Sequence, residues 1–398
     1  MSLSLPALDF DGLGLAASQQ LEALAAWRQQ VRGFVEQHIA ANINDWNQSG
    51  TFPDELYVQA AAAGLLGTGF PKQFGGTGED SSLQQRMVFA EELHRLGSGV
   101  VFADLATLWI ALPPVVRQQN LRLDDQVVRP VLAGKKKISF AVTEPAGGSD
   151  VGNMQTQAER TAGGWRLSGE KTLISGLLRA DFVLIIARTG GAGSKGLSMF
   201  LLETDRVGVS REAVPGLGWY NASIGTLRCD HVELPADALI GEENHCFRDL
   251  TQQFNIERFS GAAAALALCR VCLADAIAFA RERQVFGQRL IDHQVTRHKL
   301  VALLRRLRAA QALLLHCVGK FEAGQPATAI DYTDLSLLKI EASKTLELCA
   351  REALHLMGGS AYAAGARSER ILRESRIFAL GGGTEEVLSD FISRQLRF

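Results

Sequence analysis

Apolar residues recur every three to four positions in two long stretches of the chain, and every second position in the stretch between them. From about Leu15 to Leu132, residues such as Leu21, Leu24, Trp27, Val31 and Phe34 keep the helical spacing on one face. A polar loop, PKQFGGTGEDSS (71–82), interrupts this pattern before helix resumes through QQRMVFAEELHRLGS. The apolar run LATLWIAL predicts a further helix, ended by Pro113-Pro114. Between Lys135 and Glu242 the period falls to two, and segments 138–142, 165–168, 182–186, 197–202 and 227–232 predict short strands between Gly-rich turns. That density of strands suits a compact barrel or sandwich. From Asn244 the helical period returns, and segments 254–286, 292–322, 329–356 and 384–397 suit a helix bundle.

Within the second helical stretch lies FNIERFSGAAAALALCRVCLADAIAFARERQVFG (254–287). Asn255 is a candidate N-cap, followed by the charged pair Glu257 and Arg258. About seven turns follow without Pro, with Leu266, Leu273 and Ile277 on an Ala-rich face. The stretch closes on Arg281, Arg283 and Phe286-Gly287, where a helix is expected to stop. An acid at one end and anion-binding groups at the other make it a candidate spine for an active site. The plain alternative for Glu257 is an acid in a first helical turn, where the macrodipole favours anions.

Charge narrows the function classes. With 41 basic and 43 acidic residues the formal net charge is −2, which argues against a nucleic-acid binder. No run approaches the ~18 consecutive apolar residues that span a bilayer, and the N-terminus carries Asp9 and Asp11 without a basic leader. A cytoplasmic enzyme without a membrane span is the expectation. Cys269 and Cys272 sit inside an apolar helix with no His or Cys partner nearby in sequence, which reads as small buried hydrophobes. The histidines show no ligand spacing, so no metal site is expected. No GxGxxG opens a βαβ unit, so any nucleotide is not held in Rossmann fashion.

The motifs FAVTEPAGGSDV (140–151), GEKTLISG (169–176), NIERF (255–259), RQVFGQRLIDHQ (283–294), LHLMGGSAY (354–362) and RESRIFALGGGTEEV (373–387) occur in this order. Together they resemble the acyl-CoA dehydrogenase family over nearly the whole chain. The resemblance implies an α+β chain with an N-terminal helical domain (1–135), a middle β-barrel (136–242) and a C-terminal four-helix bundle (243–398). It also implies a FAD flavoprotein that oxidises the α,β bond of an acyl thioester. Electrons pass to an electron-transfer flavoprotein, and members are usually homotetramers that share each flavin between two subunits.

The chemistry requires a carboxylate at the α hydrogen and hydrogen-bond donors on the thioester oxygen. Many members keep the base in a C-terminal Tyr-Glu-Gly-Thr motif, where this chain reads Gly381, Gly382, Gly383 and Thr384. A minority branch, typified by isovaleryl- and long-chain acyl-CoA dehydrogenases, keeps it on the long helix, where the matching residue is Glu257. By resemblance Phe140, Val142, Thr143, Gly148, Ser149, Leu173 and Ser175 face the flavin ring. Thr143 brings a hydroxyl to the flavin edge, and Leu173 stands where relatives have a shielding aromatic. Arg283, Phe286, Gln294, His355, Gly358, Gly359, Thr384 and Glu386 match contacts to the rest of FAD, with His355 in place of a Gln. Ser149, Asn255, Arg258 and Gly383 match the substrate side, Asn255 standing where many relatives have an Asp on the CoA arm. Tyr220 and Ala222 depart from the pattern near the CoA phosphates, which leaves CoA and a carrier-bound thioester both open. Two other functions stay open: a flavin monooxygenase or oxidase on this fold, and a non-catalytic binding partner.

Overall fold

The computed structural model describes residues 18–78, 83–219, 223–322, 329–363 and 365–398, so Tyr220 and Ala222 lie outside the described residues. By internal contacts the chain divides into two units. One comprises residues 45–81 and 100–256 and holds the sheet; the other comprises residues 1–44, 82–99 and 257–398 and is helical.

The sheet is built from β1 (Ile138–Ala141), β2 (Gln157–Thr161), β3 (Gly164–Ile174), β4 (Phe182–Arg188), β5 (Leu197–Glu203), β6 (Val209–Ala213), β7 (Gly225–Pro235) and β8 (Leu239–Ile240). Its order is β6-β7-β3-β2-β4-β5-β8, with β1 parallel to β4. Six successive residues of β4, Phe182 to Ala187, are buried, so this strand reads as a continuous apolar run rather than an alternation. Leu167, Val183, Ile185, Phe200 and Leu202 form the core around Trp165, whose ring meets Phe200 edge-on at 5.1 Å. Strand β3 carries an extra residue between the pairs Lys171–Leu227 and Ile174–Gly225. That bulge places Leu173 in the left-handed region, at φ 58°, and leaves its side chain 60% exposed.

In the same unit the helix Thr107–Val116 runs through Pro113 and Pro114 instead of ending there. Each proline forgoes one ladder hydrogen bond but suits the helical φ, and Pro114 is buried, so two further residues stay helical.

The helical unit contains α1 (Ser18–His38), α2 (Leu83–His94), α3 (Phe247–Glu282, within this unit from Glu257), α4 (Gln294–Glu322), α5 (Ala329–Met357), α6 (Arg367–Leu380) and α7 (Glu385–Leu396). Helix α5 packs against α4, α6 and α7. Buried Glu91 and Glu92 of α2 tie three helices together. Glu92 accepts from Arg28 (2.9 Å) and Arg32 (2.8 Å) of α1, while Glu91 pairs with Arg28 at 2.8 Å and with Arg270 of α3 at 3.2 Å. The middle of α3 is apolar enough in length and composition to cross a bilayer, yet Ala262 to Leu268 are buried in the protein.

Two expectations change here. Helix α3 starts at Phe247, so Asn255 is a buried residue of its third turn and caps nothing, and Glu257 is not in a first turn. FRDLTQQ continues the helix because Leu250 and Gln253 are themselves buried on its inner face. The helix also stops at Glu282, before Phe286-Gly287. Cys269 and Cys272 are free and buried like small hydrophobes, and burial raises both thiols well above their usual range, so they stay protonated.

Candidate active site

In the sheet unit the loop after β1 is closed on itself. Glu144 and Gly147 exchange backbone hydrogen bonds of 3.2 and 3.0 Å, while residues 145–150 face solvent. Its anchor is a buried ion pair: Lys171 Nζ of β3 donates to Glu144 Oε1 at 2.8 Å and to the Val142 carbonyl at 3.0 Å. Glu144 also accepts from the backbone N–H groups of Gln155 (2.5 Å) and Thr156 (2.9 Å). Burial pushes this carboxyl up, but Lys171 and the donated hydrogen bonds outweigh it and hold Glu144 below the usual range.

Around that anchor stand the flavin-side candidates. Thr172 N–H donates to the Thr143 carbonyl at 2.9 Å, which fixes Thr143 beside β3. A Cβ on Gly148 would come within 3.2 Å of the Thr143 methyl, so glycine keeps this approach open. Phe140 and Thr143 are half-buried and Val142 is buried, whereas Ser149 is exposed. Ser175 follows the β3 bulge that displays Leu173, and Gly176 turns the chain away at φ 71°.

The helical unit holds the other candidates. Glu257 lies against the glycine turn that follows α6. A side-chain carbon on Gly381 would lie 3.6 Å from Glu257 Oε1, and one on Gly382 would lie 3.8 Å from its carboxyl carbon. Glu257 therefore occupies the space beside positions 381 and 382. Gly382 and Gly383 have φ 68° and 105°, and a Cβ on Gly383 would meet Leu388 at 3.1 Å, so the turn needs glycine. Arg258 Nε donates to the Gly382 carbonyl at 3.0 Å. Burial raises the Glu257 carboxyl above its ordinary value, opposed by the charges of Arg258 and Lys339.

Thr384 caps α7, accepting from Val387 N–H at 3.4 Å, and Glu386 is exposed in its first turn. Beyond α3, β9 (Gln284–Val285) and β10 (Gln288–Arg289) form a two-residue hairpin whose tip is Phe286 and Gly287, at φ 50° and 81°. Positive φ at both tip residues is what so tight a hairpin requires. Phe286 is left 95% exposed, and Arg283 and Gln294 are exposed near it in sequence. His355, Gly358 and Gly359 are exposed where α5 ends.

Three groups escaped the sequence reading: Lys339, the Glu144–Lys171 pair and Glu374. Lys339 Nζ donates to the carbonyls of Ala379 (3.0 Å) and Gly383 (2.5 Å). Glu374 accepts from Gly99 N–H (2.8 Å) and Ser98 Oγ (3.2 Å), and burial pushes its carboxyl up to about 7. The available signal was a charged residue at an apolar position of a helix or strand period, as in SLLKIEA and GEKTLI.

Family models for the acyl-CoA dehydrogenase N-terminal, middle and C-terminal domains match residues 22–135, 139–232 and 244–397. The chain belongs to the acyl-CoA dehydrogenase family. Its fold is that family's: an N-terminal helical domain, a middle β domain and a C-terminal helical domain. It is 32% identical to acyl-CoA dehydrogenase AFT10-1 of Alternaria alternata, over 91% of this chain and 89% of that protein. It is 29% identical to the caffeyl-CoA reductase-Etf complex subunit CarC of Acetobacterium woodii, over 93% and 97%. A crystal structure of an acyl-CoA dehydrogenase-family protein from Mycobacterium smegmatis superimposes with a TM-score of 0.91 at 35% identity, covering 96% and 99% of the two chains. A glutaryl-CoA dehydrogenase from the same organism, in complex with FADH2, gives 0.85 at 25% identity over 98% and 96%.

Members of this family are FAD-dependent oxidoreductases that act on acyl-CoA. The residues present fit FAD. The exposed backbone of 145–150, the gap kept by Gly148 and the half-buried Thr143 suit a flat ring edge. Arg283 is exposed and makes no ion pair among the described residues, and its guanidinium matches a diphosphate with paired N–H donors.

Proposed function

We propose that the protein dehydrogenates an acyl thioester, most simply acyl-CoA, between its α and β carbons, with Glu257 as the base that removes the α proton. The observation that carries this reading is the position of Glu257 against Gly381 and Gly382, in a chain that has no carboxylate at 382. The upward shift of the Glu257 carboxyl makes it a stronger base toward a weakly acidic C–H. Arg258, bonded to the Gly382 carbonyl, orders the turn beside Glu257. Thr143, Ser149 and Ser175 offer hydroxyls to the flavin ring, and Arg283 with the Gly358-Gly359 turn offers donors to its diphosphate. Bound FAD supplies the acceptor for the β hydride.

Electron transfer to an electron-transfer flavoprotein is part of the same reading, supported by the name of the related Etf-complex subunit. A homotetramer is likewise proposed, supported by the exposure of Phe286, Tyr362 and Phe398 at 95, 83 and 92%. One observation favours a second reading: Leu173, exposed and without an aromatic ring, leaves the flavin-side surface of β3 less shielded, as an oxygen-using flavoenzyme needs. Anaerobic mixing of the FAD-loaded protein with a panel of acyl-CoA thioesters tests the proposal. Bleaching of the flavin by at least one of them, with slow reoxidation by oxygen, is expected. No bleaching by any thioester refutes acyl-CoA as substrate, and fast reoxidation selects the oxygen-using alternative.

A further inference from the structure

Lys339 is a charged residue buried on α5, between Leu338 and Ala342, which are fully buried. Burying an ammonium is costly unless its donors and charge are both met. Two of its three donors are met by the Ala379 and Gly383 carbonyls. Ala379 is in the last turn of α6, whose final carbonyls have no partner within the helix and carry the negative end of its dipole. One turn along α5, Ser343 Oγ donates to the Phe378 carbonyl at 2.7 Å. Lys339 and Ser343 thus clamp the end of α6 and the glycine turn from one side, while Arg258 grips the Gly382 carbonyl from α3.

The charged groups around the ammonium are Glu257 and Arg258 on α3, Glu347 on α5, and Glu385 and Glu386 on α7. Glu347 is already paired with Arg376 of α6, and Glu385 with Lys344. Glu386 is fully exposed to solvent screening. Among these carboxylates Glu257 is half-buried and has no ion-pair geometry with a cation among the described residues, so the Lys339 charge bears chiefly on it.

We propose that Lys339 is a positioning residue for the base, holding the Gly381–Gly383 turn against Glu257 and adding to Arg258 a second positive charge that favours the ionised form of this carboxylate. The inference rests on Glu257 being the base. The proton equilibrium it controls is local: Glu257 must be a carboxylate to accept the α proton, and a nearby cation favours that form. Removing the cation therefore moves protonation of Glu257 to higher pH. Burial lowers the Lys339 ammonium itself to about 8, so its charge fades above that pH.

The test uses the FAD-loaded protein with Lys339→Met, which removes charge and donors, Lys339→Gln, which keeps a donor without charge, and Lys339→Arg, which keeps charge. Two readouts are taken. One is the carboxyl titration of Glu257 by isotope-edited infrared difference spectroscopy, with Glu257→Gln as the blank. The other is the acid limb of the pH profile for flavin bleaching. The Met and Gln variants are expected to raise both transitions by about one pH unit, the lower end of what one neighbouring charge produces, and Arg to restore them. Bleaching that falls equally at every pH, with the Glu257 titration unmoved in Met and Gln alike, overturns the proposal and leaves Lys339 a helix cap. If Glu257→Gln bleaches like wild type, the assignment of the base has failed instead, while the infrared titration still decides whether Lys339 sets that carboxylate.

Discussion

Lys171→Met is the substitution that most directly tests how the flavin-side loop is held. The side chains of Lys171 and Glu144 are 1% and 4% exposed, so neither charge has water to fall back on. Methionine fills much of the same volume but leaves Glu144 with two backbone donors and no counter-charge, and leaves the Val142 carbonyl without its donor. Removing one partner of a buried pair costs about 3–5 kcal/mol, and the retained N–H bonds from Gln155 and Thr156 place this case toward the lower end. Urea unfolding of the FAD-saturated protein, followed by circular dichroism, measures the loss. Glu144→Gln keeps an acceptor for the backbone donors, so the double variant is expected to lose less than the two single variants together, by about 1 kcal/mol or more. The acid side gives an independent check. Glu144 is held below its unfolded value, so its contribution is complete at neutral pH and fades as pH drops below about 4; Lys171→Met removes that fading. A cost under about 1 kcal/mol, or strictly additive costs, refutes the argument that this pair anchors the loop.

Arg283→Ala is expected to weaken FAD binding by about 1.5–3 kcal/mol, the value of hydrogen bonds to a charged group, with Arg283→Lys recovering only part; equilibrium dialysis of FAD checks it. Glu374 has a folded-state value of about 7, above an unfolded carboxyl, so the folded protein holds the extra proton and stability declines as pH rises from about 4 to 7. Glu374→Gln should flatten that slope in urea titrations run across the same range. Gly382→Ala puts a Cβ at φ 68° beside Arg258 and Glu257, costing about 1–2 kcal/mol in backbone strain; thermal unfolding and bleaching rate should both fall, and unchanged values would mean the turn has no fixed conformation.

Local chemistry explains what could be read from the sequence. Strands β4 and β5 were legible as short apolar runs between Gly-rich turns, FVLII and LSMFLL, because both of their faces are buried. The loop 143–149 was legible because its glycines and hydroxyls recur in a family pattern. The start of α3 was not, since FRDLTQQ mixes charges with the single inward leucine, Leu250. Helix α6 escaped altogether: its buried Ile371 and Phe378 are two turns apart, and buried Ser368, Arg370, Glu374 and Ser375 interrupt the apolar period between and before them. Two of those residues meet partners far away in sequence: Arg370 donates to the Gly97 carbonyl at 2.8 Å, and Glu374 accepts from the Gly99 N–H at 2.8 Å. Lys339 was hidden for the same reason. It stands at an apolar position of the helical period, between Leu335 and Ala342, but only the carbonyls of α6 and of the glycine turn reveal its role.

The central claim, that Glu257 is the base, is tested most directly by rapid anaerobic mixing of Glu257→Gln with an acyl-CoA that bleaches the wild-type flavin. Glutamine keeps the size and polarity of the side chain but cannot accept the α proton. Bleaching slowed by about 100-fold or more, with FAD content and melting temperature preserved, is the predicted result. Bleaching at the wild-type rate would contradict the account, and Glu257 would then be a half-buried acid packed beside a glycine turn with no part in the chemistry.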